Sequence, residues 1–153
     1  MKPQCQTRYF GPLEYTEDSV LVFPQGIPAF ERETRFLALR QPINEPLVFL
    51  QSLAEPNLCF ATLPAQAACP GYALHIAPED LKALGLDVRR QPVIGRDVLC
   101  LVILSVEEGG PPTVNLLAPV VVNLRTQQGR QVIQMESRYT HHETLPVAEA
   151  ACS

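Results

Sequence analysis

The chain has 153 residues, of which 46% are hydrophobic and 18% charged, a composition that suits one packed domain and excludes global disorder. Its formal net charge of −4 argues against a general nucleic-acid binder, because that activity rests on clustered Lys and Arg neutralising phosphates. A mildly acidic surface suits a basic protein partner instead, since complementary charge speeds encounter.

Fifteen prolines spread along the chain break helices and mark turns, so short strands are expected throughout. Residues 7–10 read as a brief β run ending at Gly11-Pro12. Residues 19–23 (SVLVF) read as a strand closed by Pro24-Gln25-Gly26-Ile27-Pro28, a stiff, tight turn. Residues 36–39, 47–53 and 58–63 follow as strands, the last two flanking a hairpin turn at Glu55-Pro56-Asn57. Tyr72-Ala73-Leu74-His75-Ile76 alternates as a strand does. Residues 78–85 form the helical segment, with Pro78 at the first position, Glu79 and Asp80 in the first turn, Leu81 and Leu84 on one face, and Gly85 to stop it. Ala77 is a poor N-cap, so this helix is short and held by packing.

Residues 98–106 (VLCLVILSV) are almost continuously apolar, which predicts a strand buried on both faces with Ile103 in the core. A polar loop over residues 107–112 leads to a long strand over residues 113–124, and Thr126-Gln127-Gln128-Gly129 reads as a turn with Gly129 at positive φ before a strand at 131–135. The apolar pattern then fades, and residues 139–153 are expected to form a flexible tail. The expected fold is mainly all-β: a small antiparallel β-barrel-like domain over residues 1–138, with one or two short helices.

Cys5, Cys59, Cys69, Cys100 and Cys152 include no C-x-x-C pair, and their odd number leaves at least one unpaired in any disulfide scheme. Cys59 and Cys100 sit in apolar runs as small hydrophobes. A reducing compartment is expected, and with no apolar h-region in the first ten residues and no run of roughly 20 apolar residues, the expected location is cytoplasmic and away from membrane.

Catalysis needs a nucleophile or metal held by partners at the right spacing. No G-x-S-x-G, H-E-x-x-H or G-x-x-x-x-G-K-[ST] pattern occurs. Gly109-Gly110 precedes Pro111-Pro112, whose missing N–H groups make a poor phosphate cradle. Glu79 and Asp80 are explained by helix-start polarity, and Cys69, before Pro70-Gly71, has no base near it in sequence. His75 lies in the alternating segment, while His141 and His142, adjacent in extended chain, point to opposite sides and share no metal site. A non-enzyme with no cofactor and no metal is expected. The alternative, a nucleic-acid-binding β-barrel, calls for aromatics interleaved with Lys or Arg on one strand face, whereas Arg89-Arg90 falls in a loop and Arg125 and Arg130 flank a turn. A small hydrolase would need a Cys or Ser within reach of His75.

Four stretches carry a family resemblance in their order and spacing: residues 22–31 (VFPQGIPAFE), residues 49–60 (FLQSLAEPNLCF), the helix at 78–86, and residues 113–123 (TVNLLAPVVVN) followed by Gly129-Arg130-Gln131-Val132-Ile133. Together they resemble the FliW family of flagellar assembly factors, from about Tyr9 to Met135. That resemblance implies a small β-barrel-like, non-catalytic, cytoplasmic protein. It implies two partners, flagellin and CsrA, a translational repressor that blocks flagellin mRNA. Free flagellin would occupy the protein and leave CsrA repressing; secretion of flagellin would release it to antagonise CsrA, with no direct contact to nucleic acid.

Two segments are candidate contact surfaces. In an unbroken strand, Asn115, Leu117, Pro119, Val121 and Asn123 share one face, and Pro119 favours a sheet edge open to a partner. In the turn, Ile27 and Phe30 are either partner contacts or, with Phe23, plugs for the end of the barrel.

Overall fold

Apolar side chains at alternate positions of successive strands build an antiparallel sheet with two buried faces. The computed structural model describes residues 2–135 and 138–145. Its strands are β1 (Gln4–Thr7), β2 (Gly11–Glu14), β3 (Val20–Val22), β4 (Arg35–Leu39), β5 (Val48–Ser52), β6 (Cys59–Pro64), β7 (Val98–Ser105), β8 (Thr113–Val114), β9 (Val120–Asn123), β10 (Gly129–Gln131) and β11 (Glu143–Thr144). Two short helices, α1 (Ala65–Ala68) and α2 (Pro78–Ala83), interrupt the run between β6 and β7. Among the described residues no helix is long and apolar enough to cross a membrane.

The main path runs β10-β9-β7-β6-β5-β4-β3, with β8 pairing the far end of β7 and β11 pairing β8. The sheet curls but does not close by strand pairing. Its two edge strands meet at a single parallel bridge, Val22 to Gln128, with the Val22 N–H donating to Gln127 O at 3.0 Å. The barrel-like expectation therefore holds in outline.

Inside the curl lie Leu21, Phe23, Phe36, Val48, Leu50, Leu101, Val120 and Val122. On the outer side Val98, Cys100, Val102 and Val121 pack under α1, α2, Tyr72, Ile76 and Val132. The β1–β2 hairpin covers another part of the outer side, where Cys5 meets Val20 and Leu37. This double covering explains the unalternating apolar run at β7. Burial is confined to Val98 and residues 100–102, however: Leu99, Ile103 and Leu104 are half-buried, and Val106 is 71% exposed beyond the strand.

Helix α2 ends as its sequence suggests. Leu86 N–H donates to Leu81 O and Gly85 N–H to Lys82 O, with Gly85 at φ 71°, the αL stop that glycine supplies. A side chain completes this end: Asn123 Nδ2 donates to Leu84 O at 2.8 Å, tying α2 to β9.

Several expected elements fall elsewhere. Residues 8–10 are a turn, because Thr7 Oγ1 accepts the Phe10 N–H and donates to Gly11 O, closing the hairpin. Residues 72–76 form no strand. Their backbone groups are satisfied by side chains from afar: the Tyr139 hydroxyl accepts the Ala73 N–H, Gln134 Oε1 the His75 N–H, and Gln91 Oε1 the Ile76 N–H. The β9–β10 turn takes its positive φ at Gln127 rather than Gly129, and β10 stops at Gln131, after which Val132 and Gln134 donate to Pro119 O and Leu117 O. The expected flexible tail, residues 139–153, begins instead with docked chain. Tyr139 stacks on Tyr72 at 4.6 Å, Thr140 O accepts the Leu116 and Leu117 N–H groups, and β11 pairs β8. Residues 146–153, with Cys152, lie outside the described residues.

Candidate partner-binding surface

The turn between β3 and β4 is shaped by two tight backbone passages. Gly26 N–H donates to Phe23 O, and at its φ of 67° a Cβ would lie 2.5 Å from the Glu31 backbone, so only glycine fits. Phe30 N–H donates to Ile27 O at 2.6 Å, and between them Ala29 holds a φ of 75° with its N–H on Glu31 Oε1. A non-glycine residue in that region persists where neighbouring bonds enforce it. The outcome is a division of labour. Ile27 is 2% exposed and plugs the inner core, whereas Phe30 is 41% exposed and rests its ring edge-on against Phe60 at 5.5 Å. Arg130 of β10 braces the turn by donating from Nε to Asp80 and from a terminal nitrogen to Gln25 Oε1, both at 2.8 Å. Between turn and strand lies an open hollow of about 280 Å³ lined by Gln25, Pro28, Glu31, Arg130 and Gln131.

Residues 113–124 are not one strand. β8 pairs β7 at Leu104 and Ser105, β9 pairs β7 at residues 98–101, and residues 115–119 carry the chain between the two registers. Asn115 Oδ1 accepts the Ala118 N–H, a local turn that asparagine favours, and Pro119 has no N–H for a ladder. The common face of Asn115, Leu117, Pro119, Val121 and Asn123 therefore does not form. Pro119 and Val121 are buried, and Asn123 is 2% exposed with its amide engaged by Leu84 O and the Arg125 N–H. Asn115 and Leu117 are half-buried in the same junction. Of the residues expected at a contact surface, Phe30 is the exposed one.

A second apolar surface went unnoticed in the sequence. The tip of the β1–β2 hairpin leans over β5 and β6, with Phe10 edge-on to Phe49 at 5.4 Å and Arg8 N–H donating to Pro56 O. This leaves a groove of about 300 Å³ lined by Tyr9, Phe10, Gln41, Asn44, Phe49, Cys59 and Ala61. Tyr9 is 60% exposed, and Ile43, between Gln41 and Asn44, is 91% exposed. The signals were present: an aromatic pair at a hairpin tip, and one isoleucine within a polar, proline-led turn.

Burial pushes the Cys59 thiol up to about 11 and Cys100 up to about 12, and Cys5 is raised for the same reason, the reverse of what a nucleophile needs. Cys69 is buried at the end of α1, and His75 is exposed. Among the described residues no group of three His, Cys, Asp or Glu side chains is placed to hold a metal. What these surfaces offer is apolar and aromatic area with a polar margin, the composition of a protein contact.

Comparison with known proteins places the chain among like sequences over nearly its whole length. The family model described as FliW protein matches residues 4–145. A flagellar assembly factor FliW from Syntrophomonas wolfei is 36% identical over 131 residues, covering 85% of this chain and 80% of the relative. Another, from Desulfitobacterium hafniense, is 36% identical over 148 residues, covering 96% and 94%. A crystal structure of the flagellar assembly factor FliW superposes with a TM-score of 0.80 at 30% identity, over 94% of this chain and 96% of that one.

Proposed function

Because the chain belongs to the FliW family of flagellar assembly factors, we propose that it is a cytoplasmic, non-catalytic regulator that binds flagellin and antagonises the translational repressor CsrA, permitting flagellin synthesis. The observation that carries this reading is the family match across residues 4–145, which takes in the turn and both sides of the 115–119 junction. Its physical support is the outward-turned Phe30 and the aromatic groove, exposed area suited to macromolecular partners. Net charge adds to it. An RNA-binding repressor must present basic surface to phosphates, and a chain of net −4 meets such a surface favourably while repelling the RNA. Antagonism could then proceed without occupying the RNA site itself.

A reconstituted translation reaction tests the reading. A reporter carrying a flagellin leader is repressed by CsrA; adding the chain should restore translation, and adding flagellin should restore repression. Repression unchanged by a several-fold excess of the chain over CsrA sinks the proposal.

A further inference from the structure

A third surface combines fixed positive charge with exposed apolar side chains. Between the end of α2 and the β9–β10 turn lies an open hollow of about 330 Å³, lined chiefly by Asp87, Arg90, Arg96, Asp97 and Arg125. Asp97 organises it. Its carboxylate accepts from Arg90 at 3.0 Å, from the Val93 N–H at 2.7 Å and from Arg96 Nε at 3.4 Å, while its backbone oxygen accepts the Leu124 N–H at 3.1 Å. The Arg90 guanidinium and the Val93 N–H hold the Asp97 carboxyl well below the usual carboxylate range, so the arrangement persists at any physiological pH. Arg89 pairs with Asp87 beside it.

A guanidinium carries five donors in a planar fork, and Asp97 uses only some of those on Arg90 and Arg96. Among the described residues the Arg125 guanidinium makes no hydrogen bond, and Arg125 is exposed. Arginines thus outnumber aspartates here, in a chain whose net charge is −4. Val88, Val93 and Leu124, next in the chain to the lining residues Asp87, Pro92 and Arg125, are all exposed, and two of them are tied to Asp97 through their own backbone N–H groups. The three apolar neighbours give the charged hollow a mixed polar and apolar margin. Arginine forks amid apolar side chains are what a carboxylate-bearing protein segment meets at an interface. Nucleic acid fits less well, because no aromatic lines the hollow to stack a base and two aspartates stand within it.

We propose that this hollow docks an acidic segment of a protein partner, carboxylates meeting Arg96 and Arg125 while adjoining apolar side chains cover Val88, Val93 and Leu124. The proposal goes beyond the regulatory reading above and does not depend on it, since it concerns an acidic ligand rather than a basic repressor.

The test titrates the full isotope-labelled chain with three probes followed by NMR: a short capped peptide alternating glutamate and leucine, its lysine–leucine counterpart, and a single-stranded RNA of mixed sequence. The glutamate–leucine peptide should shift the amide signals of residues 87–97 and 123–125, more weakly as salt is raised. Arg125→Glu should lower its affinity about tenfold or more, the effect of removing one well-placed interface arginine. That variant removes no hydrogen bond of the Arg125 side chain, so its remaining spectrum should be unchanged, and Arg125→Gln should fall between the two. Equal binding of the lysine–leucine peptide would reduce the site to a nonspecific apolar contact and overturn the proposal. Tighter binding of RNA at the same signals would overturn it in favour of nucleic acid, and no shift with the glutamate–leucine peptide at millimolar concentration would overturn it outright.

Discussion

Replacing Gly129 by alanine probes the place where the two edges of the sheet meet. Gly129 is buried and has no left-handed backbone, so the strain is purely one of contact: an added Cβ would lie 2.6 Å from Phe23 Cε2 and 2.7 Å from Cζ. That is about 1 Å inside ordinary carbon–carbon contact. The ring is fully buried and packed edge-on against Phe36 at 5.4 Å within the inner core, so moving it disturbs its neighbours. Forcing one carbon into a close-packed core costs about 1–3 kcal/mol. Alanine recovers about 0.5–1 kcal/mol of chain entropy in a strand. The expected net loss is therefore about 2 kcal/mol at the upper end of the clash, or roughly 4–8 °C in Tm for a domain of this size. Urea titration followed by far-UV circular dichroism measures it. Phe23→Leu should relieve the clash, so the double variant should show a coupling of about 1 kcal/mol. A net gain in stability, or strict additivity with Phe23→Leu, would refute the reasoning. Because Phe23 begins the turn that presents Phe30, the same variant should also weaken any partner contact made there.

Other expectations follow from particular contacts. Leu101→Ala, at a site enclosed on both sides of β7, should cost about 2–5 kcal/mol, while Ile103→Ala on the half-buried stretch should cost distinctly less by the same urea titration. Asn123→Ala leaves the Leu84 carbonyl and the Arg125 N–H without partners and should cost about 1–3 kcal/mol. Asp97, its folded carboxyl depressed by Arg90 and the Val93 N–H, stabilises the fold above the unfolded value of about 3.9 and loses that contribution as pH falls toward the folded one. Asp97→Asn should therefore flatten the acid limb of the stability–pH curve below about pH 4 and leave its neutral shape unchanged. Alkylation by iodoacetamide at neutral pH, mapped by mass spectrometry, should leave Cys100 unmodified and label Cys59 slowly; rapid labelling of either would contradict their raised thiols.

Much of the fold was legible because it is written in local pattern. Short β-prone runs between turn signals placed β3 to β6, an unbroken apolar run marked the doubly covered β7, and Pro78 with Gly85 bracketed α2. The failures share a cause: distant partners decided them. Residues 72–76 look like a strand, but Tyr139, Gln134 and Gln91 satisfy their backbone in place of a neighbouring strand. Residues 113–124 look continuous, but β7 offers two separate registers and Asn115 turns the chain between them. That break removed the contact face expected for Val121 and Asn123. Gly129 was expected to supply a positive φ, which Gln127 supplies instead; what excludes a side chain at 129 is the Phe23 ring, a long-range contact with no local signal. The aromatic groove left only scattered signals in the sequence and the arginine hollow none, because each gathers residues from hairpins and loops far apart in sequence.

Isothermal titration of the purified chain, separately with flagellin and with CsrA, tests the regulatory account most directly. The account predicts saturable binding to each at micromolar or tighter affinity, and, by stopped-flow mixing, association with CsrA that slows as ionic strength rises because steering is screened beyond a Debye length of about 8 Å at physiological salt. Ile43→Ser and Phe30→Ser, both at exposed positions, should each weaken binding of at least one partner while leaving Tm within a few degrees of the parent. No heat and no complex with either protein at concentrations of tens of micromolar, alongside tight, salt-sensitive binding of RNA by the chain alone, would contradict it.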